Sequence, residues 1–128
     1  MILDKVSLIC DNYYMINVKY EIQIYSDIRG KEPFTEWLES LENIQRYRIK
    51  ARLTRLALGN FGDYKHIENE IYELRFITNS GFRLYYGIIN NKIIILLNGG
   101  NKKSQLKDIL KAKKYFNDYL NRKEKVLK

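Results

Sequence analysis

"EIYELRFITNSGFRLYYGIINNKIIILLN", residues 70–98, is the stretch that decides how this chain folds. Its first segment alternates: Tyr72, Leu74 and Phe76 fall on one face of an extended chain, Glu73 and Arg75 on the other. "TNSG" (78–81) has the composition of a hairpin loop. "FRLYYGII" (82–89) sets Arg83 and Tyr85 opposite Phe82, Leu84 and Tyr86, and "NN" (90–91) makes a second tight turn. "KIIILLN" (92–98) is apolar on both faces, which is the pattern of a central strand. Strands this close in sequence pair antiparallel.

Upstream, "VKYEIQIY" (18–25) also alternates as a strand does, and "SDIRGKEP" (26–33) is a turn. Pro33, the only proline, suits the first turn of a helix, and Phe34, Trp37, Leu38 and Leu41 follow at i, i+3, i+4 and i+7. Asn43 is read as the N-cap of a second helix that runs to about Leu58, stopped by Gly59 and cored by Ile49, Leu53 and Leu56. The short break between the two helices implies a helical hairpin. "GNFGDYKH" (59–66) reads as irregular, punctuated by Gly59 and Gly62. Downstream, Ser104 can cap a last helix in which Leu106, Ile109, Leu110, Ala112, Lys113 and Phe116 mix core and surface positions. The expected order is β-α-α-β-β-β-α: an α+β domain whose small, mainly antiparallel, four-stranded sheet carries an N-terminal helical hairpin and a C-terminal helix. A single domain is expected over residues 18–128. Residues 1–17 lack a clean period and are read as an N-terminal extension in which Met15 offers a second start.

A length of 128 residues, with 45% hydrophobic and 30% charged side chains, suits one globular domain. The longest apolar run, Ile93–Leu97, is far short of the ~20 residues of a membrane span. Met1–Cys10 lacks the marks of a signal peptide, so a cytoplasmic protein is expected. One cysteine, Cys10, excludes an internal disulfide, and one histidine, His66, excludes a His-rich metal cluster. Charge is more telling in its distribution than in its total of +8. Residues 1–45 carry four basic and eight acidic groups, residues 46–100 nine and four, and residues 101–128 ten and three. A basic second half points to a polyanion or an acidic protein partner, against the plainer reading of a solvated basic tail.

No GxSxG elbow is present, and "NGGNKKS" (98–104) lacks P-loop spacing. Nothing suggests a metal or a cofactor. What remains is a set of cations at strand ends and loops: Lys65, His66, Arg75, Arg83, Lys102 and Lys103. RNA can be cleaved without a metal, because its 2′-hydroxyl is itself the nucleophile. The protein must then align that hydroxyl, stabilise charge on the non-bridging oxygens and assist proton transfer. Arginine supplies a planar fork of donors for phosphate, and a lysine crowded by other cations can act as a base. Taken singly, each of these cations reads first as a structural residue, Arg75 as a surface-strand cation paired with Glu73 and His66 as a loop residue. In "LLNGGNKKSQLKDILKAKKYF" (96–116), Gly99 and Gly100 are expected to let an incoming phosphodiester approach the end of the central strand.

"PFTEWLESL", "GNFGDYK", "YELR", "GFRLYYG" and "LLNGGNKKSQLKDILKAKKY" together resemble the RelE/ParE superfamily of type II toxin–antitoxin toxins. Within it, they resemble most the HigB-like, phage-derived "addiction module killer protein" branch, over about residues 18–120. The resemblance implies the fold just described, and a toxin that acts as a ribosome-dependent mRNA endoribonuclease. The ParE branch instead implies a toxin that poisons DNA gyrase without cutting RNA, and a third alternative is an inactive phage-derived binding module. Carried over by residue, the family pattern implies that Arg75 and Lys102 act on the scissile phosphate. Lys65, His66 and Lys103 would serve proton transfer, and Arg83 would support the site. Arg48, Arg52 and Arg55 of the second helix, with Lys107 and Lys111 of the last, would contact RNA. The last segment carries Lys107 and Asp108 where some relatives have a tyrosine or histidine. Implied partners are a cognate antitoxin, a small helix-turn-helix protein, together with the ribosome and mRNA.

Overall fold

A computed structural model describes residues 18–127; the 1–17 extension and Met15 lie outside the described residues. Five strands and three helices follow in order: β1 (Glu21–Ile24), α1 (Pro33–Glu39), α2 (Asn43–Ala57), β2 (Tyr64–Glu68), β3 (Ile71–Arg75), β4 (Arg83–Ile89), β5 (Ile93–Gly100) and α3 (Gln105–Leu127). They build one sheet in the order β1-β5-β4-β3-β2. β2 to β5 are antiparallel in sequence order, and β1 joins β5 in parallel after the helical hairpin. The α+β architecture matches the sequence reading, with one strand more than the four expected. That strand, β2, comes from the segment read as irregular. Four of its five residues are exposed, so its pairing with β3 leaves no hydrophobic alternation in the sequence.

The hairpins follow from residue choice. Between β4 and β5, Asn90 and Asn91 both have positive φ (53° and 55°), and the Lys92 amide donates to the Ile89 carbonyl at 3.0 Å. Two successive left-handed residues match the twist of the flanking strands, and asparagine tolerates that region better than most side chains. α2 stops where expected. Gly59 sits at φ +90°, its amide bonds to the Leu56 carbonyl, and the Asn60 amide bonds to the Arg55 carbonyl. This closing pair of bonds satisfies carbonyls that the helix end would otherwise orphan. Its start differs by one residue: Glu42 holds the N-cap position without a side-chain cap, and the Asn43 amide oxygen instead accepts from Arg46.

Each sheet face has its own core. α1 and α2 cover one face, where Phe34, Leu53, Leu56, Leu74, Leu84 and Leu96 are fully enclosed. α3 covers part of the other, packing Ala112 and Phe116 on Tyr85, Ile95 and Leu97. Full enclosure of a leucine contributes about 1.5–3 kcal/mol, so the two-faced burial of β5 anchors the sheet. Tyr25 of the β1 end donates to Asp118 of α3 at 2.7 Å; burial, then that carboxylate, pushes its phenol up to about 12. Where β3 ends and β4 begins, beside the first turn of α3, the sheet borders an open cleft. Among the described residues, no helix is long and apolar enough to cross a membrane.

Candidate functional site

The sheet register assembles the open end. Arg75 lies opposite Arg83, and Arg83 opposite Gly100; one step inward, Glu73 lies opposite Tyr85, and Tyr85 opposite Asn98. Two arginines facing each other across a ladder repel. The structure offsets this with a carboxylate buried between them: Glu73 is 0% exposed. Arg75 Nε donates to one Glu73 oxygen at 3.0 Å. The other oxygen accepts from the Tyr85 hydroxyl at 3.1 Å and from the Gln105 amide at 2.9 Å, with Arg83 Nε at 3.9 Å. Burial alone would push the Glu73 carboxyl up, toward its neutral form. The hydrogen bonds from Arg75, Gln105 and Tyr85, with the charge of Arg83, outweigh it and hold the carboxyl below its ordinary value. Burial first, and the adjacent Glu73 charge second, push the Tyr85 phenol far up, so it serves as a donor.

Above this cluster lies an open cleft of about 810 Å³ whose lining includes Arg75, Arg83, Lys102, Lys103 and Asp63. Loops position the lysines. Asn101 Oδ1 accepts the Lys103 and Ser104 amides at 2.9 and 3.1 Å, turning the chain sharply after β5. The Lys102 amide donates to the Ser80 carbonyl at 3.1 Å, which ties this turn to the β3–β4 loop. Gly81, at φ +64°, stands beside the Lys102 side chain. The four cations thus come from two strands and one turn, and converge only in the folded chain.

Gly99 and Gly100 do something other than expected: neither is among the cleft-lining residues. A Cβ on Gly99 would lie 2.2 Å from the Trp37 ring, and one on Gly100 would lie 1.8 Å from an Asp108 oxygen. The glycines therefore admit α1 and the first turn of α3, not a ligand. Asp108 is itself buried, with its carbonyl held by the Asn98 amide at 3.0 Å and its carboxylate bonded to Ser104. Ser104 stands just before α3, its carbonyl accepting the Asp108 amide at 2.9 Å.

The other sequence candidates scatter. Lys65 sits on the edge strand β2, opposite Glu73 in the ladder, and His66 opposite Tyr72; neither lines the cleft. The His66 ring packs against Tyr72 at 5.1 Å, on the sheet face away from Arg75, with its Nε2 against the Asn69 carbonyl. Arg52 has a structural task. It donates to the carbonyls of Arg75 (2.7 Å), Phe61 (3.2 Å) and Asp63 (3.4 Å), and its guanidinium lies 4.8 Å over the Phe76 ring. Arg48 and Arg55 are exposed along a shallower groove between α2 and the β3–β4 loop, and Lys107 and Lys111 are exposed on α3. Two charged residues of the site are not among the sequence candidates: Asp63 lines the cleft from the segment read as irregular, and Glu73 is buried beneath it although strand alternation turns it away from the main core. Among the described residues, no group of three or more His, Cys, Asp or Glu side chains is arranged to hold a metal ion. The cleft can bind a polyanion, with lysine and aspartate at hand to move protons.

The family model described as "Phage derived protein Gp49-like (DUF891)" matches residues 36–117, the span from α1 into α3 that contains every cleft residue. A Haemophilus influenzae protein described as uncharacterized is 44% identical over 81 residues, which is 62% of this chain and 82% of that protein.

Proposed function

This chain belongs to the Gp49-like family of phage-derived proteins, a family associated with toxin–antitoxin modules, and from that premise we propose that it is a toxin that cleaves mRNA on the ribosome without a metal. The observation that carries this reading is the meeting of Arg75, Arg83, Lys102 and Lys103 at one open cleft. In this reading Arg75 and Lys102 grip the non-bridging oxygens of the scissile phosphate. The 2′-oxygen bonds to phosphorus while the bond from phosphorus to the 5′-oxygen breaks, leaving a 2′,3′-cyclic phosphate and a 5′-hydroxyl. Asp63 and Lys103, which line the same cleft, serve the proton that leaves the 2′-hydroxyl and the proton that the 5′-oxygen gains. Lys65 and His66, outside the cleft, take no part in the step. The exposed Arg48, Arg55, Lys107 and Lys111 contact RNA around the site, and a cognate antitoxin restrains the toxin.

Induced expression followed by mapping of mRNA 5′ ends tests this, comparing the natural chain with Arg75→Ala and Lys102→Ala. Codon-phased cuts with the natural chain, lost in both variants, are the expected result. Growth arrest with intact mRNA and unresolved DNA supercoils would replace it with the gyrase reading. Absence of any growth effect would leave an inert binding module.

A further inference from the structure

We infer that Glu73 is a positioning residue: the buried carboxylate that fixes how Arg75 and Arg83 present their guanidinium groups to a phosphodiester in the cleft. The inference rests on the reading of that cleft as a phosphodiester site. It starts from a cost. A buried carboxylate is expensive unless fully partnered, and replacing such charge clusters by well-packed apolar side chains is often neutral or stabilising. Apolar packing was available here, since Ile71, two residues back on the same face of β3, lies in the core beneath α3. Retaining a charge at 0% exposure therefore calls for something other than stability.

The geometry supplies it. Glu73 takes the inner Nε edge of Arg75, whose side chain is 36% exposed, and among the described residues no hydrogen bond is made by its two terminal nitrogens. The outward edge of that guanidinium is thus left for a ligand, held by a bond that limits its rotation. Arg83 is deeper, 14% exposed, with its Nε at 3.9 Å from Glu73 and without a hydrogen-bond partner. Among the described residues no hydrogen bond holds its guanidinium, which lies within the field of Glu73 and adds positive charge from behind. The Tyr85 and Gln105 donors fix the carboxylate in turn, and Gln105, the first residue of α3, links the position of that helix to the aim of Arg75. An unpositioned arginine in the same place would carry the same charge, but its terminal nitrogens would have to be ordered when ligand arrives.

Nuclear magnetic resonance of the arginine Nε–Hε groups in the full chain tests this. The probe is a 2′-O-methyl RNA hexanucleotide, which lacks a free 2′-hydroxyl and cannot be cleaved. In the natural chain a distinct, slowly exchanging Arg75 Nε–Hε signal is expected, and the probe shifts it. In Glu73→Gln, exchange at that signal should rise by about tenfold or more, as expected when a charge-assisted hydrogen bond is lost, and the probe shift should collapse. Gln105→Ala, at the start of a helix, removes one support of Glu73 and should give the same change in smaller degree; it decides the matter if Glu73→Gln does not fold. Unchanged Arg75 exchange and an unchanged probe shift in a folded Glu73→Gln chain would overturn the inference. A natural chain whose Arg75 signal ignores the probe would instead remove the phosphodiester reading, while the exchange comparison still reports whether Glu73 holds the arginine.

Discussion

Glu73 reaches its buried position with a carboxyl group held below its ordinary value, which ties the stability of the fold to pH. A depressed folded-state value means that the unfolded chain binds the proton more readily. The contribution is therefore complete above the unfolded value near 4.5 and is lost as pH falls through the lower folded-state value. Chemical denaturation of the natural chain should thus show a loss of stability below about pH 4.5, and Glu73→Gln should flatten that limb while lowering stability at neutral pH. Equal acid sensitivity in the two chains would show that other carboxylates account for it. Reading from sequence placed Glu73 and Arg75 correctly on one strand face. It failed on burial because α3 arrives from more than thirty residues downstream, at Gln105, to close over the carboxylate. The position of His66, on β2 outside the cleft, was hidden for the converse reason. Its strand was not recognised, so nothing in the sequence showed which sheet face it would take.

Helices seat on this sheet where the strand lacks a side chain. Gly100 meets Asp108 and Ser104, Gly99 meets Trp37, and Gly87 meets the Phe116 ring, against which a Cβ would stand at 2.4 Å. None of the three has a positive φ, so close approach, not backbone freedom, is what requires glycine. Gly100→Ala should be the harsher of the two changes at the β5 end, because Asp108 is buried and hydrogen-bonded through both its carbonyl and its carboxylate. Gly99→Ala can be absorbed in part by a tilt of the partly exposed Trp37 ring. Overpacking of this kind costs about 1–3 kcal/mol, so thermal unfolding should show Gly100→Ala melting below Gly99→Ala, and both below the natural chain. The reverse order would mean that the start of α3 yields more easily than α1. The elements were mostly legible because long periodic patterns mark β3 to β5, α1 and α2. β2 was not, since an exposed edge strand owes its form to its partner and not to its own residues.

The chain as a whole separates its charge, acidic in residues 1–45 and basic beyond, and the fold draws part of that excess into one cleft. Position in the sequence does not say which cations face a ligand. Arg52 and Arg75 both belong to the basic half, yet Arg52 spends its donors on three carbonyls and Arg75 keeps an outward edge. Salt dependence separates the two kinds. If a single-stranded RNA neutralises the four cleft cations, the logarithm of its affinity should fall with the logarithm of salt at a slope of about −2.8. That corresponds to a roughly fifty-fold loss between about 50 and 200 mM salt. Arg75→Ala or Lys102→Ala should each reduce the slope by about 0.7, as befits one fewer released counterion. Arg52→Ala should lower the melting temperature, because it frees the Phe61–Asp63 loop and the end of β3, but leave the slope of the folded chain unchanged. Titrations of a labelled 2′-O-methyl RNA at several salt concentrations measure all three. A slope near zero would exclude an electrostatic cleft for RNA, and an Arg52→Ala chain with a reduced slope would mean that its guanidinium reaches the ligand after all.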